Sequence, residues 1–337
     1  MKRGKRKTRN MRCAAGVLTA VIAMKAVGYS MPAEEKKEPP AVTSSRTLIL
    51  SGYTQVLYTT QDKGFDGFTL RKARLNLAGE LLKNVRYRMQ VDVVKSPILL
   101  DAAVEFAFLE AATLRIGQFK VPFSQESLTS SSDIDMINRS QPVSRLSPGQ
   151  DIGSSGRDTG AMVFGKASII EYTLGAFNGA GINKADTNEE KDLAGRIVIR
   201  PTPFLAVGAS VYDGMYSASA NTEPVKRDRA GLELAVLYSA FSLKGEFIEA
   251  SDGETIKQGW YLQAGYFFIP QKLQGLIKAD SYDKDTKTAL DRSDLWTMGL
   301  NWFLSEKTKF QVNFELYKDE SGKTTNSVFL AHFQAAF

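Results

Sequence analysis

Apolar and polar side chains alternate along most of the chain after residue 46. In 307–318, KTKFQVNFELYK, Phe310, Val312, Phe314 and Leu316 share one face, while Lys309, Gln311, Asn313 and Glu315 share the other. Residues 85–92, VRYRMQVD, set Val85, Tyr87, Met89 and Val91 opposite Arg86, Arg88, Gln90 and Asp92. A period of two is that of a β-strand with one apolar and one wet surface. Sixteen such segments can be placed, the first at 48–59 and the last at 325–337. Seven of the connections are tight: Leu82-Lys83, Glu110-Ala111, Ala167, Pro201-Thr202-Pro203, Ala240, Pro270-Gln271 and Leu304-Ser305-Glu306. The others are longer and polar, such as 179–191 and 214–227. An even strand number, short turns at one end and charge on the wet face predict an all-β fold. The expectation is a transmembrane antiparallel β-barrel of 16 strands, water-filled, with its barrel domain at 47–337 and both termini on the short-turn side.

Aromatic positions fit two membrane interfaces. Trp302, Phe303, Tyr238, Phe241, Phe204 and Phe268 fall beside short turns, and Tyr58, Tyr212, Tyr282, Trp260 and Trp296 near long loops. Amphipathic rings collect at such interfaces. The slightly negative mean hydropathy does not oppose this, because a barrel strand is apolar only at alternate positions.

Charge is unevenly placed. Residues 1–33 carry eight of the Lys and Arg residues and no acid, in a basic run followed by the mostly apolar CAAGVLTAVIAMKAVGY. That order predicts a signal peptide over 1–33, followed by a flexible periplasmic leader at 34–46. Without 1–33 the net charge moves from +6 to −2, so bulk charge gives no ground for a nucleic-acid partner. Cys13, the only cysteine, lies in that segment. With one histidine, His332, and one cysteine, neither a metal cluster nor a cofactor is expected, and no enzyme motif is present. The period puts His332 on the wet face, where a solvated histidine is expected.

The longest connection, 121–157, exceeds an ordinary loop and is the third on its side. Composition alone leaves open whether it folds inward or stands outside as a flap.

Several stretches resemble the phosphate-selective porin O/P family. They include FTLRKARLNLAGEL (68–81), LRIGQFKVPFSQESLTSSSDIDMINRS (114–140), RDTGAMVFG (157–165), YTLGAFNGAGIN (172–183) and GWYLQAGYFFIP (259–270). The terminal Phe337, after Phe329 and Phe333, is similar to the C-terminal signature read by the outer-membrane barrel assembly machinery. The resemblance implies a bacterial outer-membrane porin, a homotrimer in contact with lipid, whose third loop dips into the lumen as a constriction. It also implies anion binding there by a loop lysine before a Thr-Ser-Ser, with serines and barrel cations. Thr129-Ser130-Ser131 matches, but Ser127 stands where that lysine is expected, and Lys120 is the nearest substitute.

On the wet face the candidate pore-lining or anion-binding residues are Lys72, Arg74, Arg86, Arg88, Arg115, Lys120, Ser130, Ser131 and Lys278. Arg196, Arg229, Lys244 and Lys309 add cations, and Glu80, Asp92, Glu171, Glu233, Glu246, Asp280 and Glu315 oppose them. A basic patch in a narrow pore lowers the energy of a passing anion. The expected function is passive diffusion of small hydrophilic solutes with weak preference for anions, phosphate among them. The alternatives are a plugged structural barrel whose external loops bind a partner, and an outer-membrane hydrolase.

Overall fold

The structure is a computed structural model describing residues 48–109, 111–217 and 223–337. The expected signal segment and leader lie outside the described residues. The strands are β1 (Leu48–Gln61), β2 (Gly67–Leu82), β3 (Val85–Asp92), β4 (Leu99–Leu109), β5 (Ala112–Lys120), β6 (Arg157–Ala167), β7 (Ile170–Phe177) and β8 (Asp192–Thr202). They continue as β9 (Leu205–Tyr216), β10 (Val225–Tyr238), β11 (Phe241–Asp252), β12 (Thr255–Ile269), β13 (Leu273–Asp283), β14 (Ser293–Phe303), β15 (Lys309–Asp319) and β16 (Thr324–Ala336). Each pairs antiparallel with its chain neighbour, and β16 returns to β1 to close a 16-stranded barrel. Closure satisfies every strand edge, the condition for β-structure in hydrocarbon. At the seam, Phe337 and Gly52 exchange two backbone hydrogen bonds of 3.0 Å. A Cβ on Gly52 would stand 2.7 Å from the Phe337 ring, so glycine lets that ring lie against β1.

Burial is inverted relative to a water-soluble protein. Along β15, Lys309, Gln311, Asn313 and Glu315 are buried, while Phe310 and Phe314 point outward and are exposed. The same inversion puts Leu232, Leu262, Ile277 and Met298 on the outer surface. Such a surface is ruinous in water and required in lipid.

Several turns lie one or two residues from their sequence-predicted places. Ala167 ends β6, and the reversal is made by Ser168-Ile169. Pro201 and Thr202 close β8, and Ala240 shares its turn with Ser239. Asn84, Ser168, Ser239 and Gln271 have φ between 53° and 67°. Tight hairpins need this left-handed geometry to match strand twist, so the ladder runs on until a residue adopts it. The opposite end is less uniform than the sequence suggests. β11 and β12 are joined by Gly253-Glu254 alone, because polar pairs such as Asp252 and Thr255 continue the ladder.

The aromatic belts also need correction. Trp260, Trp296 and Phe68 face outward at the long-loop end, with Tyr58 against Phe68 at 4.8 Å. Tyr212 and Tyr282 point inward, as does Phe303, over which Lys309 sits at 5.8 Å. Sequence position fixes a residue's height, but strand parity decides its face.

Segment 121–157 carries two short helices, α1 (Gln125–Leu128) and α2 (Gln141–Leu146). It packs against the inward faces of β10 to β16 and β1. Phe123, Val143 and Leu146 join Ile248, Ala250 and Tyr261 in one apolar cluster. Asp135 docks the middle of the segment: its carboxylate accepts from Lys244 Nζ (2.6 Å) and Gln263 Nε2 (2.9 Å). Its carbonyl accepts from Asn301 Nδ2 (2.8 Å) and Gln311 Nε2 (2.7 Å).

Candidate functional site

This docking makes the lumen eccentric. Gln311 and Glu315, beneath the segment, are each 1% exposed, whereas the Arg86 and Arg88 side chains on β3 are 55% and 53% exposed. The open wall is therefore that of β3 to β6. Between it and the segment lies a cavity of about 230 Å³. Five cationic side chains reach it, Arg74, Arg88, Arg115, Lys120 and Arg157, against two carboxylates, Asp101 and Glu105. Ser130 contributes from the segment.

Strand pairing builds this wall. Arg86 lies opposite Glu105 in the β3–β4 ladder, and Arg115 lies opposite Glu105 in the β4–β5 ladder. Lys120 pairs with Arg157 where β5 meets β6. Arg74 Nε donates to Asp92 Oδ2 at 3.0 Å, and its Nη1 reaches Ser131 Oγ at 3.4 Å. Ser131 is also met by Arg139 Nη1 at 3.4 Å, so it faces the wall rather than the passage. Arg139 donates to the carbonyls of Glu126 and Thr129 as well, at 3.1 Å and 2.6 Å. Burial draws its guanidinium below the usual arginine range, with Glu126 opposing that shift.

Lys120 is fully engaged. Its ammonium donates to the carbonyls of Ser127 (2.7 Å), Leu128 (2.9 Å) and Thr129 (2.8 Å). Three protons meet the free carbonyls at the C-terminal end of α1, so Lys120 clamps the segment instead of offering a free anion ligand. Arg115 is also fixed, stacked over the rings of Phe119 and Phe164 and bonded through Nε to Glu105 at 2.7 Å.

Other sequence-predicted positions lie elsewhere. Lys278 does not line the open passage: it is buried on β13, donating to Asn138 O at 3.1 Å beneath the segment. Lys72 is buried on β2, outside the residues lining the cavity. His332 is not solvated, since the segment covers it and its Nδ1 meets Gln311 Oε1 at 3.1 Å. Ser127 is buried as well, with its hydroxyl accepting from Gln150 Nε2 at 3.3 Å.

Arg71, Arg139 and Arg157 are among the inward cations missed by sequence reasoning. Arg71 sits at a β-bulge, where β1 residues Gln55 and Val56 pair with Lys72 and Leu70. The extra residue lets both Arg71 and Lys72 face inward, and Arg71 reaches Asn138 Oδ1 at 3.0 Å. Arg139 and Arg157 escaped notice because one lies within the long loop and the other at its end. The long polar connection at 179–191 also tucks inward: Asn183 N donates to Gln118 Oε1 at 2.7 Å and Ile182 N to Ser154 Oγ at 3.3 Å.

Comparisons with known proteins agree on the architecture. An anion-selective porin from Comamonas acidovorans superposes with a TM-score of 0.67 at 14% identity, covering 87% of this chain and 100% of that one. The outer membrane channel DcaP of Acinetobacter baumannii gives 0.65 at 12%, covering 87% and 97%. In-vitro folded OmpT, an outer membrane protein of Vibrio cholerae, gives 0.62 at 9%, covering 90% and 100%. At these identities the likeness concerns the fold alone. No curated protein sequence matches. The model of the family described as phosphate-selective porin O and P matches residues 50–227 and 213–336, nearly the whole barrel. The chain thus belongs to the phosphate-selective porin O and P family, channels of the bacterial outer membrane.

Proposed function

We propose that this channel passes small hydrophilic solutes by diffusion with a weak preference for anions, and that it has no catalytic step. The observation that carries this reading is the cavity between segment 121–157 and the β3–β6 wall, where five cations outnumber two carboxylates. Local charge at the narrowest point governs permeation, because screening over about 8–10 Å hides distant loop acids at physiological salt. The half-exposed guanidiniums of Arg86 and Arg88 offer planar forks to a passing oxyanion. Permeation needs only a shallow interaction, since tight binding would slow release. In this reading segment 121–157 forms the constriction, and phosphate interacts weakly because no free loop lysine meets it. We further read 1–33 as a cleaved signal, 34–46 as a periplasmic leader, the assembly as a homotrimer, and Phe337 as the residue presented to the barrel assembly machinery. The trimer reading has support from a Vibrio cholerae structure described as a trimer form.

Bilayer conductance with reversal potentials in a salt gradient tests the proposal. A reversal potential displaced towards that of chloride is expected. A cation-preferring channel overturns the anion reading, and a barrel with no conductance favours a plugged structural role.

A further inference from the structure

The inward wall is not polar throughout. The cross-strand neighbours Glu105, Arg115, Met162 and Gly175 form one row from β4 to β7, so charge on β4 and β5 gives way to a thioether on β6. In the next row, Ala103, Gly117, Gly160 and Phe177, every side chain is apolar or absent. A Cβ on Gly160 would stand 2.8 Å from the Phe177 ring and one on Gly175 2.7 Å from it, so these glycines let the ring lie across the wall. Phe177 in turn meets Phe119 edge-on, with ring centroids 5.5 Å apart. The interior of a water-filled barrel is ordinarily polar.

This apolar stretch borders the same cavity as the cations. Phe119 and Met162 line it from the barrel, and Pro122 and Leu128 line it from segment 121–157. The charged side is held in place by β4. Asp101 Oδ1 accepts from Arg157 Nε at 2.6 Å, and its Oδ2 lies 3.4 Å from Arg88 Nη2. Glu105 Oε1 accepts from Arg115 Nε at 2.7 Å, and its Oε2 lies 3.2 Å from Arg86 Nη2. Arg88, half-exposed at the cavity, presents a planar fork of donors to a carboxylate.

We propose that the solute this cavity favours is a small organic carboxylate with a flat apolar body, its carboxylate at Arg88 and its body against Phe119, Met162 and Leu128. This rests on the anion-channel reading and names the class of anion. Inorganic phosphate is hydrated on every side and would lose water beside these apolar groups with no hydrogen bond in return. An aromatic carboxylate gives up water around its charge at one end only, and its ring gains by leaving water. The cavity volume of about 230 Å³ exceeds the roughly 150 Å³ that admits a benzene ring. An apolar lining with a few placed polar groups is the usual make-up of a small-molecule site.

The experiment measures block of chloride current in planar bilayers by acetate, benzoate and inorganic phosphate at pH 8, where both carboxylates are ionised. Wild type, Met162→Thr and Leu128→Ser are compared, and reversal potentials in a potassium chloride gradient are recorded for each. In wild type, benzoate is expected to reach half-block at about one-tenth of the acetate concentration, with phosphate no stronger than acetate. In each variant the advantage of benzoate over acetate is expected to fall below about threefold. If the apolar groups serve only to seat the segment, acetate and benzoate block alike in wild type, or both variants keep the full advantage. Either result, in a wild type that prefers anions, overturns this inference alone. A wild type that prefers cations overturns the anion-channel reading and this inference with it. Leu128 is less buried than Met162, so Leu128→Ser alone decides if Met162→Thr does not fold.

Discussion

Lys120 donates to the carbonyl oxygen of Ser127 at 2.7 Å, and this bond changes the expected roles of both residues. In sequence, Lys120 stands in for a missing loop lysine and Ser127 marks the gap. In the barrel the lysine holds the backbone around the serine, and the serine is buried. Lys120→Ala therefore leaves the carbonyls of Ser127 and Leu128 without this donor, while that of Thr129 keeps Arg139. We expect a loss on the order of 2–4 kcal/mol in stability and a noisier open channel. Heat-modified mobility and single-channel noise check this, and the reversal potential should move less than in Arg88→Ala.

Ser127→Lys tests the buried position. A lysine at 127 would meet Gln150 and the chain near Gly156, where a Cβ would already stand 2.8 Å from the Ser127 hydroxyl. The expected outcome is a destabilised constriction, by about 3 kcal/mol or more, with no stronger phosphate block. Folding yield measured beside phosphate titration of chloride current checks both parts. Tighter block in a stable barrel would show that the segment can turn this position into the lumen.

Arg86 and Arg88 are the half-exposed cations of the open wall, so they should carry the selectivity. Arg86→Ala with Arg88→Ala should shift the reversal potential towards cations by more than Arg74→Ala, whose guanidinium is buried against Asp92. The barrel should remain folded, because exposed ion pairs contribute only about 0–1 kcal/mol each. Reversal potentials of the double variant and of Arg74→Ala in one salt gradient decide the order.

Asp135 is a polar anchor of the segment on the far wall. Asp135→Ala removes the partner of Lys244 and Gln263 and should let the middle of the segment leave β11 and β12. Conductance should rise and selectivity weaken. Single-channel conductance in high salt is the measurement, and an unchanged value would remove the segment from the passage.

Much of the barrel is legible in the sequence because strand periodicity is a local property. Phe310, Phe314 and their wet neighbours declare their faces within a few residues. Other features depend on the third dimension. The β-bulge at Arg71 reverses local parity, and no alternation pattern marks it. Ser127, Lys278 and His332 lose their solvent to segment 121–157, whose resting place follows from contacts more than a hundred residues away, such as that between Asn138 and Glu315. The open wall was visible as a list of cations, but not as the one side left uncovered. Asp101 and Glu105 were not singled out because an isolated carboxylate in a strand shows nothing of the two arginines it will join.

The lipid face gives the last prediction. Phe314 points outward from β15 at 37% exposed, facing hydrocarbon. Phe314→Lys should cost on the order of 2–4 kcal/mol near the middle of the bilayer. The adjacent inward position Gln311 is a poor control, because it bonds Asn301, His332 and the carbonyl of Asp135 beneath the segment. Thr173, on β7 beside the open cavity, is the proper contrast. Thr173→Lys places its ammonium in the solvated passage and should be tolerated within about 1 kcal/mol, while adding slightly to anion preference. Urea unfolding in lipid vesicles measures both costs. Equal penalties at the two positions would contradict the assignment of faces on which the membrane barrel rests.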